Sequence, residues 1–148
     1  MRAMEKSLTI ADYQSLSQFR HQIRRYLRFS EKVVRNAGLE ARQYQLLLAL
    51  KGLPPNVRPR IAEIAEQLQI QHHSAVELVN RLETRGFVRR ERAKQDRREV
   101  LLSLTPQGDK VLRELVLHHR NELFGQGPAL IDALRRVLRG SRKNAKAK

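Results

Sequence analysis

The side chains able to do chemistry in this 148-residue sequence are histidines, arginines and a few carboxylates, because it contains no Cys. Thiolate zinc sites, iron–sulfur clusters, disulfide scaffolds and cysteine redox switches are therefore excluded. Two histidine pairs, His72-His73 and His118-His119, invite a metal reading. Adjacent residues of a helix point about 100° apart, so both members of such a pair rarely ligate one ion. No metal and no cofactor are expected. Catalysis is not expected either. There is no glycine-rich phosphate loop, no Gly-x-Ser-x-Gly and no His-Glu-x-x-His, and most acids lie on helix faces among basic residues.

Positive charge is what the chain has in excess. Thirty Lys and Arg stand against 15 Asp and Glu, a formal +15. The first partner to consider is a polyanion, meaning nucleic acid or an anionic membrane face. No stretch approaches the ~20 apolar residues needed to span a bilayer. The start, MRAMEKSLTIADYQSL, lacks the apolar core of a secretion signal. The expectation is a cytoplasmic protein with no membrane partner. The surplus lies in three blocks: +5 from Arg20 to Arg35, +5 from Arg85 to Arg98, and +7 from Arg135 to Lys148. The segment from Ser141 to Lys148 has no apolar residue larger than Ala, which predicts a disordered basic tail. The middle block sits between two apolar segments and predicts an ordered basic loop.

The elements that must position these residues follow from apolar spacing. With 41% hydrophobic residues, the chain is long enough for one domain with a real core. Leu16, Phe19, Ile23, Tyr26, Leu27, Val33, Val34 and Ala37 recur at three and four, as one face of a helix does, and Gly38 ends it. Further helices are predicted over Ala41–Lys51, Ile61–Leu68 and His73–Arg85, with a proline-rich turn (GLPPNVRP) between the first two. Phe87 to Arg92 and Glu99 to Leu104 are too short for helices, and Val100, Leu102 and Leu104 alternate as a half-buried strand requires. The polar AKQDRR between them is the charged tip of a hairpin. Thr105 as N-cap and Pro106 at the first position restart a helix. Gly125 and Gly127 are expected to interrupt it, and Pro128 to open a last one.

Within this order, Ile61 to Leu82 has the spacing of a helix-turn-helix. Ile64, Ala65 and Leu68 pack the first helix, Ile70 plugs the turn, and Ala75, Leu78, Val79 and Leu82 face the second helix inward. Gln69 stands where a Gly is common, which a longer turn would tolerate. A helix-turn-helix followed by a basic hairpin is a winged helix. Its second helix fits the major groove, and the hairpin tip reaches a neighbouring minor groove, where Arg meets concentrated negative potential.

The segments LETRGFVRR (Leu82 to Arg90), Asp96-Arg97-Arg98 and LSLTPQG (Leu102 to Gly108) resemble the MarR family of transcriptional regulators. The resemblance extends from about Leu16 to Leu138. It implies a mainly α fold with a small β-hairpin wing, in the order α-α-α-α-β-β-α-α, as an intertwined dimer. The winged lobe would span about 41–104, and helices over about 10–37 and 105–140 would form the dimerisation region. It implies double-stranded DNA as partner and a second copy of the chain as another. Asp96 would brace the wing through an Arg, and Arg97 and Arg98 would enter the minor groove. His72, His73, Ser74 and Glu77 would lie at the exposed start of the recognition helix, with Ser74 either contacting DNA or capping the helix. Arg81, Arg85 and Arg90 would hold phosphates, while Arg89 and Arg92 supply general electrostatics.

The resemblance further implies a pseudo-palindromic operator and a repressor relieved by a small aromatic or anionic effector. Phe19, Ile23, Tyr26, Tyr44 and Leu48 are the candidate pocket, and they would serve equally as core. Some relatives sense zinc, which keeps a site at His118 or His119 with Glu122 in view. The rival function is a nucleoid or ribosomal protein that binds nucleic acid without sequence choice.

Overall fold

The computed structural model describes residues 7–146, with side chains as far as residue 140. Five helices and one antiparallel hairpin run in the order α1 (Ile10–Asn36), α2 (Ala41–Lys51), α3 (Ile61–Leu68), α4 (His72–Thr84), β1 (Val88–Arg92), β2 (Val100–Leu104) and α5 (Pro106–Lys146). The chain divides into two compact units. One is Glu31–Leu117, and the other joins the residues up to Ser30 to those from His118 onward.

The Glu31–Leu117 unit has a closed apolar core. Leu46, Leu47, Ile64, Val79 and Leu82 are wholly buried, and Tyr44, Leu78, Phe87, Val88, Leu102, Leu112 and Leu115 complete it. Each fully buried aliphatic side chain contributes about 1.5–3 kcal/mol relative to exposure. The α4 residues Ala75, Leu78, Val79 and Leu82 all point inward, and Leu68 and Ile70 pack against the core edge, as their spacing predicts. Gly38 and Gly86 take positive φ of 81° and 79° beyond the ends of α1 and α4, where a Cβ would be strained. β1 and β2 pair in the register Val88↔Leu104 through Arg92↔Val100. The Leu102 amide donates to Pro59 O at 2.7 Å, which fastens β2 on its other side.

The entry to α5 is tightly fitted. Thr105 Oγ1 accepts from the Gly108 amide at 3.0 Å and donates to Gly86 O at 2.6 Å, so the cap also anchors the wing's base. A Cβ on Gly108 would lie 2.0 Å from Phe87 O. No residue but Gly fits there.

Three sequence expectations about helix ends are corrected. The two C-terminal helices are one, and α5 carries Pro128 in its interior. Proline normally disfavours helical geometry in the residue before it by clashing with that residue's Cβ, and Gly127 has none. The carbonyl that Pro128 leaves unbonded belongs to Phe124, which is 72% exposed, so water can reach it. The helical backbone of α5 also continues to Lys146, into the segment expected to be a disordered tail; the side chains of that segment and residues 147–148 lie outside the described residues. At α4, the cap is Gln71, which places Ser74 three positions inside the helix rather than at its cap.

In the other unit the inward side chains of α1 include Phe19, Gln22, Tyr26 and Phe29, and those of α5 include His119 and Ala133. His119 is 4% exposed, with Nε2 2.7 Å from Ser30 Oγ and the Tyr26 and Phe29 rings edge-on at 6.1 and 5.9 Å. His118 is exposed. Among the described residues no group of three His, Asp or Glu could hold a metal ion. No described helix is long and apolar enough to cross a membrane.

Candidate nucleic-acid interface

The reading surface begins at the N-terminus of α4. Gln71 makes no side-chain cap, so the first amides of the helix lack both an intrahelical acceptor and a capping oxygen. Such amides, with the positive end of the helix dipole, suit a phosphate oxygen. From this end His73, Glu77 and Arg81 recur every four residues on one exposed stripe, with His72 beside them. Ser74 is half-buried. Arg81 is 61% exposed, and its nearest carboxylate, Glu40, is 3.9 Å away. Histidine, glutamate and arginine at these positions offer both donors and acceptors, as a groove with a mixed code requires.

The wing is held against this helix by one side chain. Arg90 Nη1 donates to Glu83 Oε1 at 2.7 Å, Arg90 Nη2 to Asn80 Oδ1 at 2.6 Å, and the Arg90 amide to Glu83 Oε2 at 3.1 Å. Three bonds across one β1–α4 contact fix the angle between strand and recognition helix. Arg90 is therefore committed within the lobe, where the resemblance implied a phosphate contact. Arg85 is committed too. Its Nη1 donates to Gly38 O at 2.6 Å, and its guanidinium lies 5.0 Å over the Phe87 ring.

The wing tip is a built turn rather than a loose loop. Asp96 Oδ1 accepts from the Arg98 amide at 3.0 Å, the Ala93 amide donates to Glu99 O, and the Glu99 amide to Asp96 O. Arg92 Nη1 donates to Arg97 O at 2.7 Å. Asp96 thus braces the tip through the backbone of an Arg and not through a guanidinium. Lys94, Arg97 and Arg98 are exposed, and among the described residues none of them has a carboxylate partner. The tip end of the wing has a second brace. Glu99 Oε1 accepts from Arg58 Nε at 2.7 Å and lies 3.8 Å from Arg60 Nε.

Sequence reasoning overlooked the supporting residues Arg58, Asn80, Glu83 and Glu99. Only the Glu83–Arg90 pair carried a signal, as opposite charges across the predicted end of α4 and start of the wing. Arg58 to Glu99 spans 41 residues and has no periodicity to reveal it.

The candidate pocket residues are divided between the two units. Phe19, Ile23 and Tyr26 lie in one unit, and Tyr44 and Leu48 in the other. Tyr44 is core at 6% exposure, and Leu48 is 42% exposed. Burial pushes the Tyr26 phenol above its usual pKa, so it is neutral at physiological pH. The winged unit does hold an open cavity of 770 Å³, lined by Arg35, Glu40, Gln43, Asn80, Arg81 and Arg85 among others. None of the five candidate pocket residues lines it.

Residues 37–99 match the sequence profile of the MarR family, and this span covers α2 to the wing tip. This part of the chain is similar to the MarR family. The chain is 31% identical over 91 residues to the transcriptional regulator PecS of Dickeya dadantii, a match covering 60% of the chain and 54% of PecS. It is 36% identical over 56 residues to the transcriptional regulator YfiV of Bacillus subtilis, covering 38% of the chain and 35% of YfiV. The matches therefore span about half of one relative and a third of the other. Its fold is similar to that of AbsC, a MarR family transcriptional regulator of Streptomyces coelicolor, with a TM-score of 0.71 and 21% identity over 97% of this chain and 99% of AbsC.

Proposed function

We propose that this chain is a MarR-family, sequence-specific double-stranded DNA-binding transcriptional regulator that acts as a homodimer on a pseudo-palindromic operator. The observation that carries it is the fastening of an exposed, polar recognition stripe to a wing with unpaired arginines. His73, Glu77 and Arg81 stand out from α4, Arg90 ties that helix to β1, and Arg97 and Arg98 project from a braced tip. His72 and His73 meet base edges or phosphates at the start of α4, with Ser74 and the uncapped amides beside them. Arg81 holds a phosphate, and Arg97 and Arg98 enter the minor groove. Arg85, Arg90 and Asp96 serve by positioning these groups.

The homodimer is supported by the surface of the α1–α5 unit. Ile10, Tyr13, Leu16, Phe124, Ile131 and Leu138 are each more than half exposed there, a concentration of apolar surface that a monomer rarely leaves in water. Two copies would set their recognition helices in successive major grooves, roughly 34–36 Å apart. Repression relieved by a small aromatic or anionic effector is part of the proposal and rests on the family resemblance. The effector would act by binding one arrangement of the dimer more tightly than the other. That resemblance also favours a regulator over an enzyme, working in the cytoplasm.

Selection from random duplexes at about 150 mM salt tests this. A palindromic consensus with half-sites about one helical turn apart is the expected result. Tight binding with no consensus would replace the regulator by an architectural protein.

A further inference from the structure

The outer face of α1 carries cations that belong neither to the recognition stripe nor to the wing. Arg20, Arg24 and Arg28 recur there every four residues with His21 and Arg25 between them, and all five are exposed. At about 100° per residue this face is opposite the inward stripe of Phe19, Gln22, Tyr26 and Phe29. Among the described residues none of these four arginines makes an ion pair. Like charges four apart on a helix repel one another. An uncompensated row of guanidiniums is a feature that an external anion would stabilise.

The described side chains of the α1–α5 unit do not supply the anion. The described side chains of the α1–α5 unit include eight arginines and three carboxylates, Asp12, Glu122 and Asp132. All three are occupied. Asp12 accepts from the Thr9 amide at 2.8 Å, Glu122 is bonded to Gln126, and Asp132 lies 3.0 Å from Arg136. The same unit of a second copy has the same composition, so pairing the two units doubles the surplus.

We infer that the outer face of α1 is a second surface for duplex DNA, separate from α4 and the wing and indifferent to sequence. For the class of partner it rests on the regulator proposed above. Arg20 to Arg28 covers about 12 Å at 1.5 Å per residue, a length over which a duplex presents about seven phosphates on its two strands. Guanidinium forks bind phosphate oxygens two at a time. A row made almost wholly of arginines offers donors in excess, which suits the phosphate backbone. Through it the regulator holds a second duplex segment while α4 and the wing hold the operator.

The test uses the full chain and an Arg20→Gln/Arg24→Gln/Arg28→Gln variant. Gln is a good helix former and the sites are exposed, so helix content and melting temperature should match the parent. Affinity for a duplex without the consensus is measured across 50–200 mM salt (about the range in which phosphate contacts dominate). The slope of log K against log salt should be shallower by about 3 in the variant, at roughly 0.9 per phosphate lost. A bead-tethered duplex should capture a second, labelled duplex through the parent and about tenfold less through the variant. An unchanged slope, or capture that survives the substitutions, overturns the inference. Binding to polyglutamate that depends on α1, with no such dependence for duplex, would assign the face to an acidic protein instead and also overturns it. The regulator stands or falls separately, because Arg97→Ala/Arg98→Ala should abolish the consensus preference and leave the α1-dependent part of the slope in place.

Discussion

Of the nineteen apolar residues buried in the described structure, all but Ala133 lie between Glu31 and Leu117, whereas ten of the twelve exposed large apolar residues lie outside that span. The two regions are built from similar material and finished differently. In the winged lobe, helices of 8 to 13 residues and a hairpin surround one core, and each surface cation that matters for shape is bonded across an element boundary. In the α1–α5 unit, two long helices bury two polar residues, Gln22 and His119, beside one alanine, and leave Phe124, Ile131 and Leu138 in water. A lobe with a closed core can hold a recognition helix in fixed geometry by itself. A pair of long helices that leaves this much apolar surface in water is what a second copy would complete. Stability of the first is expected to be internal, and stability of the second to depend on concentration.

The largest effect should come from the fit at Gly108. Gly108→Ala drives a Cβ to 2.0 Å from Phe87 O, and the obstacle is backbone, which cannot rotate away. A loss of about 3 kcal/mol or more is expected, at the upper end for overpacking. Thermal unfolding of the full chain checks it. A variant that melts within a degree of the parent would mean that the α5 entry is looser than its bonds suggest.

Next is the surface that distinguishes the two regions. Ile131 is 52% exposed. In a monomer, Ile131→Asp is an ordinary surface change within about 0.5 kcal/mol. In a homodimer closed by this face it buries an unpaired carboxylate and should cost more than about 2 kcal/mol of association. Sedimentation at several concentrations separates the two outcomes. A parent chain that stays monomeric at micromolar concentration would remove the contrast on which the homodimer rests.

How far the sequence foretold these regions follows from the same physics. The bounds of α2 and α3, the wing strands and the Thr105 cap were visible, because Gly, Pro and a change from helical to alternating periodicity mark them locally. The inward face of α4 was visible for the same reason. The continuity of α5 was not, since Gly125, Gly127 and Pro128 look like a break unless one sees that a glycine before the proline relieves the clash. The site was only half visible. Arg97 and Arg98 stood out by composition, but Arg85 and Arg90 looked equally available for phosphate. Nothing in composition tells a guanidinium facing DNA from one facing Glu83, because that depends on how far β1 lies from α4 once both are packed.

That distinction gives a test inside the winged lobe. Arg90→Ala removes the two side-chain bonds to Glu83 and Asn80 and keeps the amide bond to Glu83. With these partly exposed, a stability loss of about 1–2 kcal/mol is expected. Operator affinity should fall through misplacement of the wing, with the salt slope nearly unchanged. Arg97→Ala/Arg98→Ala should do the reverse, with little change in melting temperature and a slope shallower by about 3–4, since a dimer loses four arginines from its two wings. If Arg90→Ala flattens the slope by a full contact, Arg90 touches phosphate and the wing is held by other means.

The smallest effect concerns the turn between α3 and α4, and its sign is the informative part. Gln69 caps α3 in left-handed geometry, at φ 54° and ψ 45°, with its Nε2 donating to Glu66 O at 2.7 Å. The turn therefore does require the conformation that glycine adopts freely, and a longer turn has not removed the need. An L-residue held there gives up about 1 kcal/mol. The local side-chain bond returns part of it, being exposed. Gln69→Gly should thus stabilise the lobe by roughly 0.5 kcal/mol, after allowing for the greater freedom of glycine in the unfolded chain. Chemical denaturation resolves a shift of this size when parent and variant share one slope. A destabilised variant would show that the Gln69 bond to Glu66 outweighs the strain, and that the turn is held by its side chain rather than tolerated in spite of it.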